Sequence, residues 1–183
     1  NVEASYSTAV GMEALSGVLT GDSNTALGRE ALKVATSGGS NTALGRDALQ
    51  GLTTGINNVA VGMDSGDAIT LGRYNTAVGY GSLSTEIDGD FSVAIGFGAL
   101  GTQESDSANQ AVFNTAVGAY AGNGFTTGIK NTFFGGYAGS NAAVTGDENT
   151  ALGQKAGYNL TSAVGNVIVG STAGDALSTG GYN

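Results

Sequence analysis

The chain contains no cysteine, histidine, proline or tryptophan. Without cysteine there are no disulfide staples and no thiolate metal site. Without histidine or cysteine, Ser-His-Asp and Cys-His catalysis are excluded. Charged residues are scarce, at 11% of 183, and they sum to a formal charge of −9. That balance excludes nucleic acid and anionic membrane surfaces as partners, because both select Lys/Arg patches. The sequence lacks any run of about 20 apolar residues, so membrane insertion is not expected. Nor does any stretch sustain a 3.6-residue apolar period, which argues against helices.

What the chain has in excess is glycine, 33 residues of it, set in a repeat. Copies of Asn-Thr-Ala-(Val/Leu)-Gly begin at Ser7, Asn24, Asn41, Asn58, Asn75, Ser92, Asn114, Asn131, Asn149 and Asn166. The spacing is 17 residues, broken only by one step of 22 and one of 18. A fixed period of this length is the signature of a solenoid. Two helices with their loops need about 33 residues, so a helical repeat does not fit.

Each coil is numbered here from its Asn. Column two is β-branched (Thr8, Thr25, Thr42, Val59, Thr76), column four apolar (Val10, Leu27, Leu44, Val61, Val78) and column five always Gly. Column three is small except at Phe133 and Ile168. Alternation ending at an invariant Gly predicts a short strand closed by a turn that needs positive φ or close backbone approach. Further short segments at columns eight to nine and twelve to fifteen predict two or three strands per coil. The Asn column reads as an amide ladder that also tolerates left-handed backbone geometry. The expected fold is all-β: a parallel β-solenoid (β-roll or β-helix) of about ten 17-residue coils.

Columns two and four share one strand face and column three takes the other. In a wide solenoid, Thr and Val fill the interior. In a flat roll only Ala fits between the layers, and the Thr/Val face lies outside, where an apolar stripe demands a partner. Self-association in threes would cover it.

The stack has a seam. Column nine is Leu in coils one to six, apart from Gly66, and Gly in the last four (Gly122, Gly139, Gly157, Gly174). The chain therefore divides into coils over 1–100, an insertion over 101–113 and coils over 114–183, one continuous solenoid. The first coil opens partway through a repeat and neither end reads as a polar cap, so a segment of a longer protein is expected. Insertions in repeats map to loops, often on a binding face. Thr102, Gln103, Glu104, Asp106, Asn109 and Gln110 are accordingly the candidate contact loop. No catalytic residue, metal site or cofactor is assigned. Column seven begins acidic (Glu13, Glu30, Asp47, Asp64), but Arg29 and Arg46 sit beside it, which favours a solvated, paired row over a cation site.

The stretch Phe91-Ser92-Val93-Ala94-Ile95-Gly96 resembles the head repeat of trimeric autotransporter adhesins. The other copies, such as Asn75-Thr76-Ala77-Val78-Gly79, resemble repeats of bacteriophage tail fibres and bacterial surface proteins. The resemblance covers essentially the whole chain, although the 17-residue period is longer than that of the adhesin head. It implies a left-handed roll, a homotrimer and an extracellular place on a virion tail fibre or bacterial surface. The expected function is a rigid structural spacer. The alternatives are an adhesin head binding a cell-surface receptor or matrix ligand, and an ice-binding Thr array.

Overall fold

A computed structural model describes residues 6–18, 20–141 and 143–183. Ten three-residue strands, β1 (Thr8–Val10), β2 (Thr25–Leu27), β3 (Thr42–Leu44), β4 (Val59–Val61), β5 (Thr76–Val78), β6 (Val93–Ile95), β7 (Thr115–Val117), β8 (Thr132–Phe134), β9 (Thr150–Leu152) and β10 (Val167–Val169), stack in chain order as one parallel sheet. Pairing is in strict register, Ala over Ala and Thr over Thr, and the 22-residue step leaves it intact between Ala94 and Ala116. The protein is a parallel β-solenoid, and the described residues contain no helix.

Each coil contributes one strand, not the two or three expected. The segments at columns eight to nine are turns hydrogen-bonded to the next coil, as in Leu32 N–H to the Ala48 carbonyl (3.1 Å). Those at columns twelve to fifteen bond likewise, as in Thr53 N–H to the Thr70 carbonyl (3.0 Å), with parallel bridging limited to isolated pairs such as Phe125 with Val144. The reason is conformational. Columns seven and nine sit in the left-handed region, for example Asp47 at φ 60° and Leu49 at φ 49°, and a strand cannot run through such residues. Non-glycine residues pay roughly 1–2 kcal/mol each for this geometry, so the coil-to-coil bonds must hold them there.

The column-five Gly meets both expectations placed on it. Gly45 has φ 144°, and a Cβ there would lie 2.3 Å from the Gly62 carbonyl oxygen of the next coil. The Asn column corrects half of its expectation. The left-handed residue is the one before it (Ser23, Ser40, Tyr74), while the Asn itself serves only as ladder. Asn24 Oδ1 accepts from the backbone N–H (3.0 Å) and Nδ2 (3.1 Å) of Asn41, whose Nδ2 also donates to the Gly55 carbonyl (2.9 Å). These amides are fully buried, so every such bond also removes a desolvation cost of about 1–3 kcal/mol.

The inside-or-outside question is settled by the strands. From β2 to β10 column three is buried and columns two and four face out, the flat-roll alternative; in β1, at the end of the stack, Ala9 is exposed. Ala26, Ala43 and Ala60 line the inner face against Leu32, Leu49 and Leu52 from columns nine and twelve. Only a methyl fits opposite a Leu across so thin a core.

Candidate functional site: the outward sheet face and the seam

The outward face is built from columns two and four of all ten strands, and none of these twenty residues is charged. Val10, Leu27, Ile95, Phe134, Leu152 and Val169 are exposed on it. Parallel sheets are ordinarily covered on both faces. Here the chain itself covers one.

In coils five to eight the strand ends carry aromatic side chains. Before the strands, Tyr74, Phe91 and Phe113 stack in sequence, with centroids 5.0 Å apart and interplanar angles of 3° and 12°. After them, Tyr80, Phe97, Tyr120 and Tyr137 follow at 5.0–5.1 Å. The trailing row passes from column six (Tyr80, Phe97) to column seven (Tyr120, Tyr137). In coils two to four the leading column holds Ser23, Ser40 and Asn57, column six Arg29, Arg46 and Met63, and column seven Glu30, Asp47 and Asp64. Stacked rings are expected where identical columns repeat at strand spacing, since offset stacking favours centroids 4.5–7 Å apart. Four of these five ring contacts are stacked, and Phe97 meets Tyr120 edge-on at 67°. The sequence carried this signal, but it emerges only when columns are compared across the seam.

The acidic row is paired. Arg29 contacts Glu30 (2.5 Å), Lys33 bridges Glu13 (2.7 Å) and Glu30 (3.1 Å), and Arg46 reaches Asp47 (3.0 Å) and Asp64 (3.4 Å). Hydrogen bonds from Arg29, and next from Lys33, hold the Glu30 carboxyl below the usual glutamate range. Asp67, nearby, is pushed up chiefly by burial, and its Oδ1 has no hydrogen-bond partner among the described residues.

The six insertion residues part company. Gln103 is fully buried, whereas Thr102, Glu104, Asp106 and Asn109 are exposed and Gln110 is half-buried. Thr102 donates to the Asn123 and Phe125 carbonyls, and the Glu104 N–H to that of Thr126 (2.9 Å). By Gln110, whose carbonyl accepts from Asp90 N–H (2.8 Å), the chain is back in the ladder. Residues 106–108 form the exposed tip, closed by Asp106 N–H donating to Gln110 Oε1 (2.8 Å), and Asn109 N–H already donates to the Asp88 carbonyl (3.0 Å). Thr102 also lines an open groove with Asn123, Thr126, Ser140 and Asn141.

Gln103 has a different task from surface contact. Column one is Ser at coil six, and Ser92 is too short to hand the amide ladder on. Gln103 Nε2 donates to Ser92 Oγ (2.9 Å) and to Glu86 Oε2 (2.9 Å), while its Oε1 accepts from Asn114 Nδ2 (2.9 Å). Asn75 Oδ1 still accepts from the Ser92 N–H (2.8 Å), so the ladder crosses the seam through Gln103. The buried Glu86 carboxylate also accepts from Gly89 N–H (2.7 Å) and Ser105 Oγ (2.8 Å), which satisfies a charge that would otherwise be costly. Glu86 and Ser92 are not singled out by sequence reasoning. The available signal is that Glu86 and Gln103 occupy column twelve, elsewhere Ala35, Leu52, Ile69, Phe125 and Leu160.

A solenoid with one uncharged, uncovered sheet face is thus the class of protein defined. No protein-family model, curated protein or solved structure matches the chain.

Proposed function

We propose that the chain is a structural rod: a rigid spacer in an extracellular fibre, on a virion tail fibre or bacterial surface, whose copies associate through the outward sheet face. The observation that carries this is the uncharged face itself, ten strands long in a chain of net charge −9. Copies that approach along it meet neither like charges nor buried ions. Nine inter-strand steps of about 4.8 Å and three residues of about 3.3 Å per strand give the strands a footprint of roughly 430 Å², about half of the roughly 800 Å² per partner of a standard interface, so the residues flanking the strands must supply the rest. The resemblance to adhesin heads and tail-fibre repeats supports three copies around one axis. Irregular column four, from Val61 to Phe134, suits interdigitation with another side-chain surface better than a flat array such as ice.

Sedimentation equilibrium of the chain, with circular dichroism as a control for folding, tests the reading. A concentration-dependent trimer is expected. A monodisperse monomer that remains β-rich overturns it.

A further inference from the structure

The outward face alone leaves one thing undetermined. Columns two and four repeat Thr or Val and Val or Leu in nearly every coil, so sliding one copy along another by one coil replaces each contact with its near equivalent. Register is weakly specified on such a uniform surface. We infer that the two aromatic ladders set the register of self-association, aligning a second copy of this chain parallel and coil for coil. This rests on the self-association reading above.

Three observations carry it. First, the stacked rings lie in coils five to eight. The columns they occupy hold polar or charged residues in coils two to four, Met63 apart, and Lys130, Glu148, Gln154 and Lys155 in later ones. The other aromatics of the leading column, Tyr6 and Tyr182, stand far from the band, before the first coil and after the tenth. Each coil of slip therefore uncovers one aromatic rung and sets it against a mostly polar or charged neighbour. Second, the ladders stand at opposite ends of the same strands. Tyr74, Phe91 and Phe113 precede β5 to β7, and Tyr80, Phe97, Tyr120 and Tyr137 follow β5 to β8. In a closed ring of copies the interface is head-to-tail, so the leading edge of one face meets the trailing edge of the next. The two ladders lie at matching heights for that meeting. Third, the rings are half-exposed, Tyr74 and Tyr80 at 45% each and Phe113 at 50%, and each is held against its neighbours along the rod, stacked except where Phe97 meets Tyr120 edge-on. Each row is a continuous aromatic ridge, suited to another aromatic ridge.

The chain has no cysteine, so a single spin label at Thr54→Cys or Thr145→Cys, exposed positions outside the strands, reports same-residue distances between copies by pulsed electron paramagnetic resonance. One narrow distance, alike at both sites, is expected. The triple variant Tyr74→Ser, Phe91→Ser, Phe113→Ser installs what Ser23 and Ser40 already carry at the same backbone geometry (φ 62° and 59°), so the coil is preserved. It should stay associated and show a broadened distribution reaching to longer distances, since a slip of about 4.8 Å per coil adds in quadrature to the lateral separation of the labels. Tyr80→Arg with Phe97→Arg, which copies the residues that Arg29 and Arg46 place at the same column, should act likewise from the other side. A narrow distribution retained in both variants, or a broad one in the parent chain, overturns the inference while leaving self-association standing. Variants that turn monomeric and remain folded also overturn it, since the ladders would then supply affinity instead of register. A monomeric parent chain removes both readings.

Discussion

Coils one to six and coils seven to ten solve the same packing problem in opposite ways. In the first set, column nine supplies the core volume: Leu15, Leu32, Leu49, Leu83 and Leu100 are buried against Ala in column three. They do so from strained left-handed backbone, at φ 47–52°. In the second set column nine is Gly, which adopts φ 57–61° without a Cβ penalty, and the volume arrives from elsewhere. Phe133 and Ile168 replace Ala in column three, and Phe125 and Leu160 fill column twelve. A Cβ on Gly139 would stand 2.6 Å from the Phe133 ring, and one on Gly174 3.1 Å from Ile168. Gly66, the exception in the first set, follows the second rule, with Ile69 and Leu49 closing over it. The lesson is that core volume is conserved per coil while its source column is free to change.

The largest expected effect comes from undoing that exchange. Phe133→Ala should cost about 3–5 kcal/mol by chemical denaturation, since it empties the centre of its coil. Adding Gly139→Leu, which alone should cost about 1–3 kcal/mol through overpacking, should restore part of the loss by recreating the arrangement of the first coils. Strict additivity of the two would break the comparison.

A second test separates volume from strain. Leu49→Ala should destabilise by roughly 2–5 kcal/mol. Leu49→Gly should be no worse, reversing the usual penalty of about 0.5–1 kcal/mol for Gly against Ala, because it releases the left-handed backbone. A glycine variant clearly weaker than the alanine one would show that the strain in column nine is negligible.

The smallest effect is electrostatic. The first coils carry the Arg29–Glu30–Lys33–Glu13 cluster, whereas the later coils hold, among the described residues, the pair Lys130–Glu148. Glu30 has its folded-state pKa lowered, so its contribution is full at neutral pH and is lost as pH falls through the carboxylate range. Hydrogen-exchange protection factors, corrected for the intrinsic pH dependence of exchange, should therefore fall slightly in coils one to three on acidification, before those of coils eight to ten respond. High salt should weaken this difference, as expected for exposed ion pairs.

Much of the architecture could be read from the period. The β-solenoid, the amide ladder and the close approach at Gly45 all follow from residues that recur at 17-residue intervals. The number of strands per coil could not be read, because Leu49 and Asp47 carry no mark of a left-handed backbone in their side chains. The insertion was legible as an interruption, yet its content was not. Gln103 looked like the other polar residues of a loop, and only its place beside Ser92 and Glu86 shows that it carries the ladder across the gap.

The sequence by itself determined the repeat, the coil count and the seam, since a strict register leaves its trace in every column. Tertiary structure decided which face of each strand is covered. Alternation states that Ala43 and Thr42 point apart, but which of them meets the core depends on the thickness of the coil, and that is set by turns folding the Leu columns back across the sheet. The same closure placed the Phe and Tyr columns in stacks along the rod, an arrangement created only when coils 17 and 22 residues apart in sequence come into contact.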